Sequence, residues 1–206
     1  MAQRDWNAHY EEGFLPWDTD EPDPNLVAFV EGHELTPGRA LDIGCGTGTN
    51  AVWLASLGFE VLGVDVAPRA VERAEARAKA TPTDGRCSFA TFDFLDSLPP
   101  GGPFDMVFDR GCFHVFDEPD DRARFAAQVA ECLAPQGQWL SLIGSTEGPP
   151  REFGPPRRSA RDITNAIEPA LEITELRTAV FDVQMPEAPR AWVCVSRQRE
   201  VPAQPS

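Results

Sequence analysis

The 206-residue chain is long enough for one domain with a substantial core but short for two. Its formal net charge of −15 and its dispersed basic residues oppose binding to nucleic acids or to an anionic membrane. Five widely separated cysteines without a CxxC or Cys/His pattern predict reduced thiols and no metal site. With no apolar run of signal-peptide or membrane-spanning length, the expected location is the cytoplasm and the expected partner is a small molecule.

The first twenty residues combine aromatic and acidic side chains. Pro16 argues against a helix in this stretch. Two interpretations remain open: a surface segment anchored by its rings, or a lid whose aromatic faces cover a cationic ligand. The predicted organisation is an N-terminal lid segment at 1–20, a single domain at 21–199 and a frayed tail at 200–206.

A glycine-rich turn follows the first predicted strand, in the run LDIGCGTGT at 41–49. Its glycines let the backbone approach a ligand and adopt dihedral angles that a Cβ forbids, and the next helix begins with unpaired N–H groups. Thr49 stands where a dinucleotide fingerprint has its third glycine, which disfavours a nicotinamide-dependent dehydrogenase. Asp42, just before the turn, repels a pyrophosphate and suits a ligand with an ammonium group, such as S-adenosylmethionine.

Strands and helices alternate along most of the chain, which predicts a parallel sheet covered on both faces. The predicted helices cover 21–32, 49–57, 68–80 and 119–133, and a short helix follows Ser159 as its N-cap. The predicted strands cover 39–43, 60–65, 87–91, 104–109, 138–143, 172–183 and 191–196. The irregular stretch at 144–156 is interpreted either as a binding loop or as a tolerated surface insertion.

Acidic residues stand at the carboxyl ends of three predicted strands, the edge where such sheets bind ligands. Asp65 can accept hydrogen bonds from both hydroxyls of a ribose. Asp93 can accept from the exocyclic amine of an adenine, with Phe94 against the base, although a solvent-facing acid is the alternative. The fourth strand ends in the triplet Asp109-Arg110-Gly111, a second candidate site.

Three further stretches carry a family resemblance: the W...YEEGFLPWD pattern at 6–18, FDMVFDRGCF at 104–113 and RAWVCV at 190–195. Together with the glycine turn they resemble class I S-adenosylmethionine-dependent methyltransferases. Within that class the chain is similar to the branch of thiopurine S-methyltransferase and bacterial thiol methyltransferases. The resemblance implies a three-layer α/β/α Rossmann-like fold with a seven-stranded, mostly parallel sheet that ends in an antiparallel hairpin.

The resemblance also implies roles for individual residues. The residues expected to bind the cofactor are Trp6, Trp17, Asp42, Gly44, Cys45, Gly46, Gly48, Thr49, Asp65, Val66, Asp93, Phe94 and Asp109. The residues expected at the acceptor are Tyr10, Phe14, Arg110 and Phe113, with Arg110 and His114 as the catalytic candidates. Cys112 is interpreted as packing, and no metal is predicted.

The expected reaction is direct in-line methyl transfer to a small thiol, by a monomer or weak homodimer. If a general base exists, His114, His9 and Tyr10 are the candidates. His114, Phe113 and Phe116 replace the small apolar residues expected after the triplet, which leaves the acceptor open. The alternatives are another heteroatom acceptor, such as a phenol, a halide or a chalcogen oxyanion, and a non-catalytic subunit that binds the cofactor.

Overall fold

The computed structural model describes residues 5–13, 15–33, 35–149 and 154–199. Its strands are β1 Arg39–Ile43, β2 Glu60–Asp65, β3 Cys87–Thr91, β4 Phe104–Arg110, β5 Leu133–Gly144, β6 Glu172–Val180 and β7 Arg190–Arg197. Its helices are α1 Trp6–Glu12, α2 Pro24–Gly32, α3 Thr49–Ser56, α4 Pro68–Ala80, α5 Pro119–Cys132 and α6 Ala160–Ile167, with a 3₁₀ turn at Phe113–Val115. Within these ranges, none of the helices combines the length and the apolar character needed to cross a membrane.

The strands form one sheet in the order β3-β2-β1-β4-β5-β7-β6. The first five strands are parallel, and β7 runs antiparallel between β5 and β6. This confirms the predicted fold. The chain winds outward from β1 to β3 and then restarts at β4 beside β1. Sheets of this kind bind ligands at such a reversal, outside the carboxyl ends of the strands.

Alternate residues of the central strands pack on opposite faces of the sheet, as the twofold period of a strand requires. In β4, Val107 belongs to the core that contains Phe125 and Trp139, whereas Met106 and Phe108 belong to the core on the other face. Helices α5 and α6 cover the first face, and α2 and α3 cover the second. The central strands are therefore buried on both sides of the sheet.

Helix α1 corrects the expectation that the N-terminal stretch is irregular. Asp5 caps the helix by accepting from the N–H of Ala8 at 3.1 Å, and Gly13 ends it with a left-handed φ of 76°. Pro16 lies beyond this end and so does not oppose the helix. Ser159 caps α6 as predicted, in a capping box with Asp162.

Several strand ends differ from the prediction. β5 begins at Leu133 instead of 138, and β6 ends at Val180 instead of 183. After β6 the chain leaves the sheet, and Phe181 and Val183 turn to the cavity described below. The domain limits proposed from the sequence stay a prediction.

Gly63 in β2 supports the glycine turn through close packing. A Cβ at Gly63 would lie 2.5 Å from Cδ1 of Phe89 and 3.0 Å from Sγ of Cys45. We expect Gly63→Ala to lower the free energy of unfolding by about 1–3 kcal/mol, because overpacking must displace one of these groups. The matched control is Gly32→Ala, since no atom lies within 4 Å of the added Cβ there. Urea unfolding measures both, and equal stabilities would contradict the packing account.

Candidate active site

A cavity of about 580 Å³ lies over the carboxyl ends of β1, β2 and β4. Its size is in the range of small-molecule sites. The glycine turn forms the floor, and α1 with the chain up to Glu21 forms one wall. The other walls come from residues 92–94, 110–112, 114–116 and 154–156, and from Phe181, Val183 and Met185. Part of the irregular stretch at 144–156 therefore borders the cavity.

The glycine turn brings bare backbone to the floor of the cavity. Gly44 and Gly46 have φ angles of 70° and 55°, which residues with a Cβ rarely adopt. A Cβ at Gly44 would lie 3.1 Å from Cβ of Cys112, and one at Gly46 would lie 3.0 Å from Oη of Tyr10. The turn thus fits closely against α1 and the residues after β4, and a Cβ at either glycine would displace a neighbour.

Asp65 holds the turn in place from the end of β2. Its carboxylate accepts from the N–H of Gly46 at 3.0 Å and from the N–H of Ala67 at 2.9 Å. Burial raises the pKa of Asp65, and these backbone hydrogen bonds partly offset the effect. Asp65 lines the cavity, so its remaining lone pairs can also accept from a ligand.

Most of the predicted site residues do meet at this cavity. Those that line it are Trp6, Tyr10, Trp17, Gly44, Cys45, Gly46, Thr49, Asp65, Val66, Asp93, Phe94, Arg110 and His114. Phe14 lies outside the described residues. Four other predicted site residues do not line the described part of the cavity and need a corrected role: Asp42, Gly48, Asp109 and Phe113.

Asp42 supports the turn from below and does not line the cavity. It is 1% exposed, and it accepts a hydrogen bond from the backbone N–H of Ala51 in the first turn of α3. Burial raises its pKa to about 8, and the nearby charges of Asp65 and Asp109 add to the effect. The direct contact with an ammonium group expected from the sequence is therefore replaced by a supporting role. Gly48 likewise serves packing, since a Cβ there would lie 2.8 Å from Cβ of Ala74.

Asp109 and Phe113 belong to the core beneath the cavity. Asp109 accepts from the N–H groups of Cys112 and Phe113 at 3.0 and 2.9 Å, and from Nε1 of Trp139 at 3.0 Å. Burial raises the pKa of Asp109 to about 6, against the effect of these bonds. Phe113 is fully buried, with its ring 5.7 Å from that of Trp139. Asp109 therefore shapes the turn after β4, and Phe113 fills the core.

The aromatic lid predicted from the sequence lies over the glycine turn. The buried ring of Tyr10 packs with Ala67 and Ala70 at the start of α4. The rings of Trp6 and Trp17 meet edge to face at 6.1 Å. Burial raises the pKa of Tyr10, and the charge of Asp65 adds to this effect, so its phenol stays protonated at neutral pH and is a poor general base.

Acidic residues after Trp17, to which the sequence assigned no role, connect the lid to the turn. The hydroxyl of Thr47 donates to Oδ2 of Asp18 at 2.8 Å. Arg77 of α4 donates to the carbonyl oxygen of Thr47 at 3.0 Å and pairs with Asp20 at 2.5 Å. The only sequence signal for this link was the acidic run that follows the tryptophan.

Arg110 connects three distant segments at the wall of the cavity. Its Nε pairs with Oδ2 of Asp23 at 2.6 Å, and its Nη1 donates to the carbonyl oxygen of Trp17 at 3.1 Å. Its Nη2 donates to the carbonyl oxygen of Asp182, and the guanidinium lies 5.5 Å from the ring centre of Phe181. The Asp23 side chain is fully buried. Arg110 thus ties the lid and the chain after β6 to β4, and its role at the acceptor stays a prediction.

Cys112 and His114 complete the wall beside Arg110. Burial raises the pKa of the Cys112 thiol, and the charge of Asp109 adds to the effect, so this thiol stays protonated. His114 is 4% exposed, and its Nδ1 accepts from the N–H of Gly144 at 2.7 Å. His9 lines the cavity among the rings of the lid, 5.8 Å from that of Trp17.

The family model for thiopurine S-methyltransferase (TPMT) matches residues 1–202. The chain belongs to this family. The match confirms the family predicted from the motifs, within the class I methyltransferases that use S-adenosylmethionine.

Relatives of this TPMT-family chain include plant proteins. "Probable thiol methyltransferase 2" of Arabidopsis thaliana is 36% identical over 151 residues, which are 73% of this chain and 65% of that protein. "Thiocyanate methyltransferase 1" of Brassica oleracea is 33% identical over 138 residues, which are 67% and 60% of the two chains. The matched part therefore spans less than two thirds of these relatives' length.

A solved structure also resembles this TPMT-family chain closely. It comes from work on the conversion of a disulfide bond into a thioacetal group during echinomycin biosynthesis. The two share 28% identity and a TM-score of 0.77, over 89% of this chain and 84% of that one.

The raised pKa of Asp42 predicts a pH effect on stability. Its folded-state pKa of about 8 lies above the ordinary value of 3.8, so the folded chain keeps a proton that the unfolded chain has lost. The contribution of Asp42 to stability then falls as pH rises from about 4 to about 8, by up to about 1.4 kcal/mol per pH unit. An asparagine side chain cannot ionise. We therefore expect the free energy of unfolding of Asp42→Asn, relative to that of the wild type, to increase as the pH rises across this range.

Urea unfolding from pH 4 to pH 9 measures that difference. Asp96→Asn, at an exposed acid, is the control and should keep a constant difference from the wild type. A constant difference for Asp42→Asn as well would show that Asp42 is ionised throughout.

Removal of Arg110 should damage the whole site. We expect Arg110→Gln to lower the free energy of unfolding by about 3–5 kcal/mol, because it leaves the buried Asp23 carboxylate without its cationic partner. Affinity for S-adenosylhomocysteine and kcat/KM should fall together, since the lid loses its link to β4. The double variant with Arg110→Gln and Asp23→Asn should lose less free energy of unfolding than the two single variants lose together.

The control for this prediction is Arg39→Gln, which removes an exposed ion pair with Glu60 and should change stability by less than about 1 kcal/mol. Calorimetry and urea unfolding measure the affinity and the stability. A loss of turnover with unchanged affinity for S-adenosylhomocysteine would indicate that Arg110 acts on the acceptor.

Proposed function

We propose that this chain transfers the methyl group of S-adenosylmethionine to the sulfur of a small acceptor by in-line displacement. The observation that carries the proposal is the glycine turn, bounded by acids, on the floor of a largely apolar cavity. The described acids that line the cavity are Asp18, Glu21, Asp65 and Asp93, and the described arginine at its wall is already paired with Asp23. Such a cavity favours a positively charged ligand over an anionic nucleotide.

The positions of the lining residues support an arrangement of the cofactor along the strand ends. Asp65 and Val66 at the end of β2 would hold the ribose, and Asp93 with Phe94 after β3 would hold the adenine. The bare backbone of Gly44 and Gly46 would lie beside the methionine part, under the rings of Trp6 and Trp17. The sulfonium would then face residues 110–116, at the end of β4.

Sulfur is the acceptor atom that the relatives favour. The names of the two plant relatives refer to a thiol and to thiocyanate, and the related structure concerns a disulfide and a thioacetal. Sulfur also needs little acid or base help, because a few per cent of an ordinary thiol is already thiolate at neutral pH. The protein then supplies mainly proximity and alignment, which can contribute about 7–11 kcal/mol. Monomeric or weakly dimeric assembly and a cytoplasmic location remain predictions.

An acceptor panel tests the proposal. The purified chain is incubated with S-adenosylmethionine and, separately, with an aryl thiol, an alkyl thiol, thiocyanate, a halide and a phenol, and the methylated products are quantified by mass spectrometry. We expect the sulfur acceptors to react far faster than the halide and the phenol. Faster methylation of the halide or the phenol would assign a different acceptor, and binding of the donor without any product would support a non-catalytic role.

Asp65 provides a test of the cofactor site alone. We expect Asp65→Ala to weaken binding of S-adenosylhomocysteine by about 10- to 150-fold, because charge-assisted hydrogen bonds are lost. The matched control is Glu60→Ala at the other, exposed end of β2, which should bind as the wild type does. Titration calorimetry measures both affinities, and equal values would remove Asp65 from the cofactor site.

A further inference from the structure

Asp18 is an acid of the lid whose side chain lies at the glycine turn. Its Oδ2 accepts from the hydroxyl of Thr47 at 2.8 Å, and the residue lines the cavity. The phenol oxygen of Tyr10 lies at the same place, since a Cβ at Gly46 would be 3.0 Å from it. Burial raises the pKa of this phenol most, and the negative charges of Asp65 and Asp18 raise it further. The Asp18 carboxylate is therefore close to Gly46 and Thr47, where the backbone of the turn borders the cavity.

The charge of Asp18 differs in its surroundings from the charges of the two aspartates that follow it. Asp20 pairs with Arg77 at 2.5 Å, and Asp23 pairs with Arg110 at 2.6 Å. Among the residues that the structure describes, Asp18 makes no such ion pair, and its carboxylate accepts from the threonine hydroxyl and, at 3.3 Å, from the N–H of Asp20. Both of these donors are neutral. A negative charge therefore remains at the cavity wall, and it suits a cationic group of a ligand.

Hydrogen bonds to the backbone around Asp18 fix the position of its side chain. Nε2 of Gln184 donates to the carbonyl oxygen of Asp18 at 2.9 Å, and the N–H of Gln184 donates to that of Pro16 at 2.8 Å. Nη1 of Arg110 donates to the carbonyl oxygen of Trp17 at 3.1 Å. The carboxylate is thus directed at the glycine turn before a ligand arrives, which lowers the entropic cost of binding.

The other acids near the cavity are less well placed for the methionine part of the donor. Asp42 is buried and does not line the described part of the cavity. Asp65 lies at the end of β2, where the ribose is proposed, and Asp93 lies after β3, where the adenine is proposed. Glu21 is exposed, whereas Asp18 is half-buried. Asp18 is therefore the acid that fits a cationic group beside the bare glycine backbone.

We propose that Asp18 binds the ammonium group of the methionine part of S-adenosylmethionine, the role that the sequence assigned to Asp42. The inference rests on the proposed function, because that arrangement puts the methionine part at the glycine turn. An ammonium group has three N–H donors, and a carboxylate oxygen that accepts from one hydroxyl has a second lone pair. Since Asp18 belongs to the lid, a ligand with this ammonium bridges the lid and the turn. The site thus selects such ligands over nucleosides that lack the ammonium.

Three thioethers of adenosine separate the ammonium from the rest of the ligand. S-adenosylhomocysteine carries an ammonium and a carboxylate, the aminopropyl thioether keeps the amine alone, and methylthioadenosine has neither. Titration calorimetry measures the affinity of each for the wild type and for Asp18→Asn, whose amide oxygen can still accept from Thr47. We expect the variant to weaken the first two by about 10- to 150-fold, and to bind methylthioadenosine as the wild type does.

Two variants serve as controls for this comparison. Glu12→Gln makes the same change of charge at an exposed acid of α1 that does not line the described part of the cavity, and it should bind all three ligands as the wild type does. Asp65→Ala should weaken all three, since each contains the ribose. An equal loss for all three ligands in Asp18→Asn would show that Asp18 only supports the lid, and it would overturn the proposal. Unchanged affinity for the two amines would overturn it as well.

Hydrogen exchange of the wild type gives a test that needs no variant. At saturating ligand, S-adenosylhomocysteine and the aminopropyl thioether should slow the exchange of backbone N–H groups in residues 15–20 more than methylthioadenosine does, because only the two amines bridge the lid and the turn. Equal protection by all three would overturn the role of Asp18 alone. Failure of S-adenosylhomocysteine to bind the wild type would overturn the proposed function as well.

Discussion

Three buried carboxyl groups at neighbouring strand ends set the shape of this site. Asp42, Asp65 and Asp109 each accept backbone N–H groups from the segment that follows or adjoins their strand, and so fix α3, the glycine turn and the turn after β4. Burial raises the pKa of all three. The framework therefore depends on acids whose charged form is disfavoured, and a cationic ligand at their edge lowers the free energy of that charged form.

The triplet at the end of β4 shows how three adjacent residues serve three different purposes. Asp109 points into the core and orders the turn, Arg110 ties the lid to the strand, and Gly111 leaves space for the ring of His114. A substitution at any of them would disturb the site by a different route. Their adjacency in the sequence reflects the strand end, where a short stretch of chain reaches the core, the cavity wall and the next turn.

Local patterns were sufficient to predict the fold and the floor of the site. The bounds of β1, β2, β3 and α4 follow from apolar runs and from the glycine and proline residues that flank them, and the order of acids and glycines locates the binding edge. The sequence could not show which side chain at a strand end enters the cavity, and so Asp42 and Asp109 were assigned to the ligand. The partner of Arg110 is 87 residues away, and only the tertiary structure brings Asp23 to it. The helix around Tyr10 was missed because the effect of Pro16 was extended to residues that precede it.

The same electrostatics bear on turnover. Under the proposed function the donor carries a sulfonium charge, which the transfer removes, so the product S-adenosylhomocysteine is neutral at that sulfur. The acids around the glycine turn attract the donor through that charge but attract the product less, because only its ammonium group remains positive. The acceptor gains no such attraction from Arg110, because the charge of that arginine is balanced by Asp23. S-adenosylhomocysteine would therefore bind less tightly than the donor, which favours its release after the transfer.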